Sequence, residues 1–377
     1  MNNASRPQGQ GLPRGKAPPS SHGRAALAWA AVWFTLVQLV LTLTMDHADV
    51  ELRDPVWGRK LALLRQRLAQ EPDRPLLLVL GSSRTALGLR PEFASLPTVA
   101  GERPIVFNFG ISGAGPIQEL LFLRRLLAEG IRPERILIEI HPCLLHEEVS
   151  FGELTALAPT RLDWHDLPVM GEYVYDRPDL YRRWWRARLT ACWSHRVTIQ
   201  MRWLPRWLDP KCQFDLRALN RLNVDGWTPT ELSTVTRELY EQLARDAVRV
   251  YEPAFADFHI TERPSRAIDQ MLALCRAEGI EPALFLMPEA SQFRTGYSAD
   301  ARQQIDDYLT DVSHRHGVPV FDLTYASPDA SFADSHHMLP AGAEQFSRRF
   351  GRDVLRPLLT DGQVVPVSLE EEIAEGR

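Results

Sequence analysis

The amino-acid sequence predicts an α/β fold, a three-layer sandwich in which helices cover both faces of a central parallel sheet of five strands. Short apolar runs of strand length alternate with longer segments of helical periodicity, as is typical of parallel sheets. A charge-free run of 21 residues near the N-terminus adds a predicted transmembrane helix. A tryptophan-rich stretch between the third and fourth strands adds a predicted helical insertion.

The N-terminal segment has the composition of a membrane anchor. Residues 1–24 hold four basic and no acidic side chains among many Pro, Gly and Ser, so we expect a disordered tail. Residues 25–45 carry no charge and could cross a bilayer as a helix. Acidic residues follow, and the positive-inside rule places the tail in the cytoplasm and the rest of the chain on the periplasmic side. A single-pass signal-anchor is predicted, with a cleaved signal peptide and a soluble core helix as the alternatives.

The elements of the α/β domain follow in order. A helix is predicted over 57–70, where leucines recur at helical spacing. Five short apolar runs are the predicted strands: 76–80, 105–109, 136–140, 283–287 and 318–323. Further helices are predicted over 116–129, over 266–278 with Ser265 as its cap, over 301–314 and over 341–358. The domain therefore has two parts, 55–150 and 265–360, and an acidic tail over 361–377 follows.

The predicted insertion over 151–264 interrupts this rhythm. It holds seven of the ten tryptophans: Trp164, Trp184, Trp185, Trp193, Trp203, Trp207 and Trp227. Between residues 182 and 207, Trp is interleaved with Arg and no acidic residue occurs. These tryptophans could form an ordinary core, a membrane-surface face or a sugar-stacking face. Cys192 and Cys212 could close a disulfide, but with Cys143 and Cys275 three pairings exist, and free thiols fit the sequence equally well.

A serine pair follows the first predicted strand. Residues 81–84 read Gly-Ser-Ser-Arg, and the carboxyl edge of a parallel sheet is where open α/β folds keep their sites. Serine attacks a carbonyl when a base takes its proton and donors hold the oxyanion. Ser83 opens a predicted helix, so its own N–H could be one of those donors. The alternative is that Ser82 or Ser83 only caps that helix.

Two later segments supply the other groups that such chemistry needs. Gly110, at the end of the second strand, allows a close approach and could give a second oxyanion N–H. Asp334 and His337 lie three residues apart before the last predicted helix. We expect His337 to be the general base and Asp334 to fix its tautomer, with His336 as the rival base.

These three segments resemble the blocks of the SGNH/GDSL hydrolase superfamily. Residues 81–83 are similar to its Gly-Asp-Ser block, with Ser83 in the nucleophile position and Ser82 where an aspartate is usual. Residues 108–113 resemble the second block, whose glycine donates to the oxyanion, and residues 334–337 resemble the Asp-x-x-His block. The resemblance implies the SGNH (flavodoxin-like) fold and a Ser-His-Asp triad without a cofactor.

The third block departs from the family pattern. Residues 139–142 read Glu-Ile-His-Pro, so His141 stands near the place of the asparagine that completes the oxyanion hole. His141 could donate in its stead, or it could be a structural histidine beside a proline. The departure resembles the membrane-anchored branch of the superfamily, which implies O-acylation or deacylation of an envelope polysaccharide and a membrane acyl-donor protein as partner. A plain membrane-bound esterase or lipase, and a silent glycan-binding or partner-binding domain, are the alternatives.

Two arginines are candidates for substrate binding. Arg84 follows the serine pair and Arg294 follows the fourth strand, and either guanidinium could hold a carboxylate or phosphate, or be part of a solvated loop. No metal site is predicted, because neither the 334–337 segment nor the 314–316 segment has the ligand spacing of a helical zinc site. The net charge of −5 gives no indication of nucleic-acid binding.

Overall fold

A single sheet of five parallel strands, in the order β2-β1-β3-β4-β5, forms the centre of the computed structural model. The strands are β1 Leu76–Leu80, β2 Ile105–Asn108, β3 Arg135–Glu139, β4 Glu281–Leu286 and β5 Val320–Asp322. The structure describes residues 21–94, 103–230 and 232–360. The predicted disordered tail, except for its last residues, and the predicted acidic tail over 361–377 lie outside the described residues.

Seventeen helices surround the sheet in the described part of the chain. They are α1 Ser21–Leu43, α2 Val50–Arg53, α3 Pro55–Gln70, α4 Ser83–Gly88, α5 Pro116–Ala128, α6 Glu147–Ala156, α7 Asp166–Met170, α8 Arg177–Leu189, α9 Ala191–Ser194, α10 Arg196–Trp203, α11 Pro210–Asn220, α12 Arg237–Ala256, α13 Glu262–Glu278, α14 Ser291–Arg294, α15 Ala299–His316, α16 Pro340–Phe350 and α17 Arg356–Thr360. Turns of π-helix occupy Thr44–Ala48 and Gly351–Leu355.

The sheet is buried on both faces, which confirms the predicted three-layer α/β class. Successive side chains of β1 point to opposite faces. Leu78 packs into the layer that contains α3, α5, α13 and α15. Leu77 and Val79 pack into the layer that contains α16. Every residue of β1 is buried, which explains why the strand is an uninterrupted apolar run.

One predicted helix start is wrong. Helix α13 begins at Glu262, not at 266, and Ser265 is inside its first turn, where its N–H donates to the Thr261 carbonyl. Pro264 also lies in that first turn. Proline is tolerated in the first turn of a helix, because the N–H it lacks would have no intrahelical partner there.

Helix α1 and the segment between β3 and β4 complete the fold. Residues Gly23–Ala48 form a helix that is long and apolar enough to cross a membrane. The segment between β3 and β4 is helical, as predicted, and comprises α6 to α13. Of its seven tryptophans, Trp184 and Trp227 are buried and the other five are more than half exposed, so an ordinary core accounts for two of them. The four cysteines are free thiols.

Candidate active site

The turn from β1 into α4 gives its two serines different tasks. Ser82 is the N-cap of α4, and its Oγ accepts the N–H of Arg84 at 3.1 Å. Ser83 is the first helical residue, a position whose N–H has no partner within the helix. The cap is therefore Ser82, and the hydroxyl and the N–H of Ser83 remain available.

Ser83, His337 and Asp334 form a continuous chain of hydrogen bonds at the carboxyl edge of the sheet. Ser83 Oγ lies 2.7 Å from His337 Nε2, and His337 Nδ1 lies 2.8 Å from Asp334 Oδ2. The other oxygen of Asp334 accepts the backbone N–H groups of His336 and His337 at 2.8 and 2.7 Å. A carboxylate that accepts from Nδ1–H leaves Nε2 as the proton acceptor, so this geometry orients the imidazole toward the serine hydroxyl.

The electrostatics of Asp334 match that arrangement. Burial alone would raise the pKa of this carboxyl. The hydrogen bond from His337, the charges of His337 and His336 and the backbone N–H of His336 together outweigh burial and hold the pKa below its ordinary value. Asp334 is therefore ionised throughout the neutral pH range, where an imidazolium at His337 would need its charge.

His336 is buried and does not contact Ser83. Its ring lies 4.0 Å from that of His337, centroid to centroid, and packs between Phe293 and Tyr251 at 5.0 and 5.4 Å. Burial, and then the charge of His337, lower the pKa of His336 well below its ordinary value, so this imidazole is neutral. The neighbouring histidine, His337, is the one that meets the serine.

The expected oxyanion role of Gly110 requires a correction. The Gly110 N–H donates to Asn108 Oδ1 at 2.9 Å, so it is not free to bind an oxyanion. A Cβ at Gly110 would lie 2.6 Å from the backbone nitrogen of Ala86, so this glycine allows α4 to pack closely on the turn. Three residues later, Gly113 has a φ of 80°, and its N–H meets no acceptor among the described residues. The sequence alone does not indicate whether the Asn108 side chain accepts a hydrogen bond from the N–H of Gly110 or from that of Gly113.

His141 lies beside the site as a buried, neutral imidazole. Its ring packs on Tyr251 at 5.0 Å, and neither ring nitrogen has a hydrogen-bond partner among the described residues. Burial, followed by the charges of Arg84, His336 and His337, lowers the pKa of His141 well below its ordinary value. A neutral imidazole carries one N–H, so His141 retains one unused donor.

Arg84 is part of a buried network rather than of an open binding surface. Its guanidinium is 1% exposed, donates to Glu289 at 3.1 Å and to the Met287 carbonyl at 2.6 Å, and lies 3.7 Å from Glu139. The predicted contact of Arg84 with substrate is therefore not supported, because its donors are directed at these protein acceptors. The sequence did not indicate that Arg84 is buried, because its carboxylate partners, Glu139 and Glu289, are distant in the sequence.

Glu139 is the centre of the buried network. Its carboxylate accepts the Ser82 N–H at 2.8 Å, the Ser82 hydroxyl at 3.0 Å and the Thr85 hydroxyl at 2.6 Å. Together with the Arg84 contact, these bonds fix the first turn of α4 against the end of β3. The sequence did contain an indication, namely a single charge inside the apolar run that became β3.

Two further carboxyls, Glu119 and Glu153, are buried, and the charge of Glu139 acts on Glu119. Glu153 accepts the N–H groups of Gly115 and Gln118 at 3.1 and 2.5 Å, while burial raises its pKa to about 8. Burial, and then the charges of Glu139 and Glu153, raise the pKa of Glu119 well above its ordinary value. These two carboxyls are therefore protonated at neutral pH, unlike Asp334.

The turn between α11 and α12 of the insertion is hydrogen-bonded to the elements that carry the site. The N–H of Thr228 donates to the Ala86 carbonyl of α4 at 3.0 Å. Lys60 Nζ donates hydrogen bonds to the carbonyls of Asn108 and Gly226, at 3.0 and 2.7 Å. Burial lowers the pKa of Lys60 to about 7. These hydrogen bonds hold the segment 223–228, which we call the clamp, against both β2 and α4.

Arg294 is partly exposed and lies at the edge of the same region. It donates to the Glu289 carbonyl and stacks over the ring of Tyr325 at 4.6 Å. Tyr325 is itself exposed, so a guanidinium and a phenol ring face solvent together here. The predicted contact of Arg294 with a substrate stays a prediction.

A metal ion would compete with the hydrogen-bond chain. Ligand atoms of Asp334, His336 and His337 lie within 4.8 Å of one another, close enough for one ion to reach all three. Two of these residues already bond to each other through Nδ1 and Oδ2, and an ion bound there would displace that bond. The same residues therefore fit either a metal or the orientation of His337 toward Ser83.

Comparisons with known proteins give only a distant likeness. No protein-family model matches the chain, and no curated protein sequence matches it. Among solved structures, the chain is similar to a Bacteroides fragilis protein that is provisionally assigned as an acylhydrolase, with 13% identity and a TM-score of 0.33. The match covers 78% of this chain and 98% of the other. A likeness at this distance does not assign a family or an activity.

Proposed function

We propose that this chain is a serine-dependent acyl-transfer enzyme of the SGNH type, with Ser83 as nucleophile, His337 as general base and Asp334 as the acid that orients it. The observation that carries the proposal is the unbroken contact from Ser83 Oγ through His337 to Asp334, with distances of 2.7 and 2.8 Å. Nucleophile, base and orienting carboxylate within hydrogen-bond reach are the geometric requirement for an activated serine.

In the proposed reaction, Ser83 Oγ attacks the carbonyl carbon of an ester as His337 Nε2 takes the hydroxyl proton. The N–H of Ser83 stabilises the negative charge on the carbonyl oxygen. The second donor in this proposal is the N–H of Gly113, which replaces the N–H of Gly110 expected from the sequence. The alcohol leaves with the proton of His337, and the acyl group stays on Ser83. An acceptor hydroxyl then gives its proton to His337, attacks the acyl-serine and releases Ser83.

We infer that the acceptor hydroxyl belongs to an envelope polysaccharide, with the domain held on the extracytoplasmic side by α1. Two features support this inference. Helix α1 could hold the domain at a membrane, and the third family block has His141 where hydrolases of the family carry an asparagine. Transfer to water, as in a plain esterase or lipase, would use the same three residues.

A fluorophosphonate probe tests the nucleophile in the full-length protein purified in detergent. We expect labelling of the wild type and no labelling of Ser83→Ala. Ser82→Ala is the matched control and should still be labelled, because the Ser82 hydroxyl bonds to Glu139. Absence of labelling in the wild type would reject the enzyme and favour a silent binding domain.

The acceptor is tested with p-nitrophenyl acetate as donor. We expect added polysaccharide, such as alginate, to accelerate release of p-nitrophenol and to become acetylated, and Ser83→Ala to abolish both effects. Release that ignores the polysaccharide, with free acetate as the only product, would identify a plain esterase.

A further inference from the structure

We propose that the exposed tryptophan face of the insertion is embedded in the lipid bilayer, in the leaflet that holds the C-terminal end of α1. This face comprises the large apolar residues that α8, α9, α10 and the turn after α10 expose: Trp185, Leu189, Trp193, Trp203, Leu204 and Trp207. The proposal rests on α1 as a membrane-spanning helix and is independent of the chemistry at Ser83.

The insertion is bonded directly to the last turns of α1. Gln38 Oε1 accepts the backbone N–H of Cys192 at the start of α9 at 2.9 Å. Thr42 Oγ1 donates to the Arg188 carbonyl at the end of α8 at 3.2 Å. The only strongly polar side chain within the apolar run, Gln38, is thus satisfied by the insertion and is 6% exposed. A polar group inside a bilayer requires such a partner.

The length of α1 fixes the depth of this contact. The side chains from Ala25 to Val37 are exposed without interruption. The first buried side chain is Gln38, and beyond it Leu39, Val40 and Leu43 are again at least half exposed. At 1.5 Å per residue, the uninterrupted part is about 20 Å long. The hydrocarbon core of a bilayer is about 30 Å thick. The uninterrupted part of α1 is therefore too short to span on its own, and the turns that contact α8 and α9 must also lie within the membrane.

The insertion must then reach the same depth as those turns. Gln38 lies about 10 Å below the end of the apolar run at Met45, and α9 begins beside it. Helices that lie in the plane of the interface bury their apolar face about 5–10 Å deep. Leu189 and Trp193, both about two-thirds exposed, flank this contact and would meet acyl chains.

The polar side chains of the same segment fit lipid headgroups. Residues 182–207 contain seven arginines and no acidic residue. Arg188 is buried and pairs with Asp46, two others pair with Asp179, and the remaining four are the candidates for headgroup contact. Arg196 stacks over Trp193 at 4.4 Å, which places a cation directly beside an exposed indole. Indole rings favour the boundary between headgroups and acyl chains, and arginine can reach from there to phosphate. The hydrogen bonds to α1 place this face at the membrane, which favours lipid over a sugar as what it contacts.

The test uses the full-length chain in lipid nanodiscs, in a Trp29→Phe, Trp33→Phe background so that α1 contributes no emission. Tryptophan fluorescence is compared between phosphatidylcholine and the same lipid brominated on its acyl chains. We expect strong quenching by the brominated lipid. Adding Trp193→Phe, Trp203→Phe and Trp207→Phe should lower the quenched fraction at least two-fold, because phenylalanine keeps the apolar face but removes its emission.

The matched control is Trp227→Phe, which removes a tryptophan that is buried beside α4. In this control the quenched fraction should not fall. Equal emission in plain and brominated nanodiscs would overturn the proposal, as would quenching that persists unchanged without the three tryptophans. Protection of these tryptophans from iodide by added alginate, without quenching by brominated lipid, would identify a glycan surface instead.

Discussion

Two regions of the molecule contain adjacent residues but differ in exposure and in hydrogen bonding. One is the hydrogen-bond chain of Ser83, His337 and Asp334, and the other is the buried network beneath it. The buried network consists of Ser82, Arg84, Thr85, Glu139 and Glu289, which are at most 4% exposed. Its groups are directed mainly at one another, and the buried Arg84 Nε, which has no hydrogen-bond partner among the described residues, lies 3.7 Å from Glu139. The side chain of His337, by contrast, is 25% exposed, and its hydrogen-bond chain ends at a hydroxyl.

The comparison shows how one turn places a structural residue directly beside a candidate catalytic residue. Ser82 and Ser83 are adjacent, but the cap position directs Ser82 toward Glu139, while the first helical position directs Ser83 toward His337. The buried network supports the turn that places Ser83 Oγ at hydrogen-bond distance from His337 Nε2. Three predictions break one region or the other, and a fourth compares Asp334 with a buried carboxyl outside both.

The largest effect is expected from Asp334→Asn. The side-chain oxygen of asparagine can still accept the backbone N–H groups, but its amide cannot accept from His337 Nδ1, so the imidazole loses its orientation. Loss of the orienting carboxylate of such triads costs on the order of 10⁴-fold in kcat. Esterase kinetics and thermal unfolding would be measured together. Asp353→Asn, which breaks an ion pair with Arg349, is the matched control. Activity within ten-fold of the wild type would remove Asp334 from the mechanism.

Breaking the buried network should act on stability first. Glu139→Gln removes the charge that faces Arg84 and turns an amide N–H₂ toward the donors of Ser82 and Thr85. Breaking a buried ion pair costs about 3–5 kcal/mol, and we expect the free energy of unfolding to fall by about 3 kcal/mol. Glu344→Gln, which breaks an exposed pair with Arg348, should change it by less than about 0.5 kcal/mol. Equal losses in the two variants would contradict the network.

Asp334 and Glu153, a buried carboxyl outside both regions, should titrate in opposite directions. The pKa of Asp334 is lowered in the fold, so its contribution to stability is present above pH 3.8 and is lost as the pH falls toward the folded value. The pKa of Glu153 is raised from 4.5 to about 8, so the unfolded chain ionises first and stability falls as the pH rises through that window.

Glu153→Gln removes this titration because glutamine stays neutral. We expect the variant to be more stable than the wild type at pH 8, by on the order of 3 kcal/mol, and the difference to vanish toward pH 4.5. Urea unfolding at several pH values measures it, with the exposed Glu262→Gln as control. A difference that does not depend on pH would show that Glu153 is ionised in the fold.

The smallest effect is expected from Ser82→Ala. The substitution removes the cap of α4 and one donor to Glu139, which costs about 1 kcal/mol of stability. The nucleophile and its base stay in place, so kcat should fall by less than about ten-fold. A loss of activity as large as that of Ser83→Ala would reverse the roles of the two serines.

The sequence predicted most where the determining pattern is local. Strand β1 was predicted to the residue because five consecutive apolar positions are buried on both faces. Asp334 and His337 were predicted as a pair because three residues separate them. The substrate contact predicted for Arg84 is not supported because its guanidinium meets Glu289, which is 205 residues away in the sequence. The N–H of Gly110 is occupied by the Asn108 side chain only two residues earlier, but the sequence pattern does not specify where that side chain points. Periodicity carries no information about such partners.

The clamp at 223–228 has a consequence for the order of folding. β4 must close a long loop to reach β3, and the entropy of loop closure grows with the logarithm of loop length. Docking of the clamp on β2 and α4 shortens the remaining loop by more than half, which lowers that entropy term by about 1 kcal/mol. We therefore expect the insertion to dock before the second half of the sheet assembles, so that Ser83 is held in place before His337 arrives.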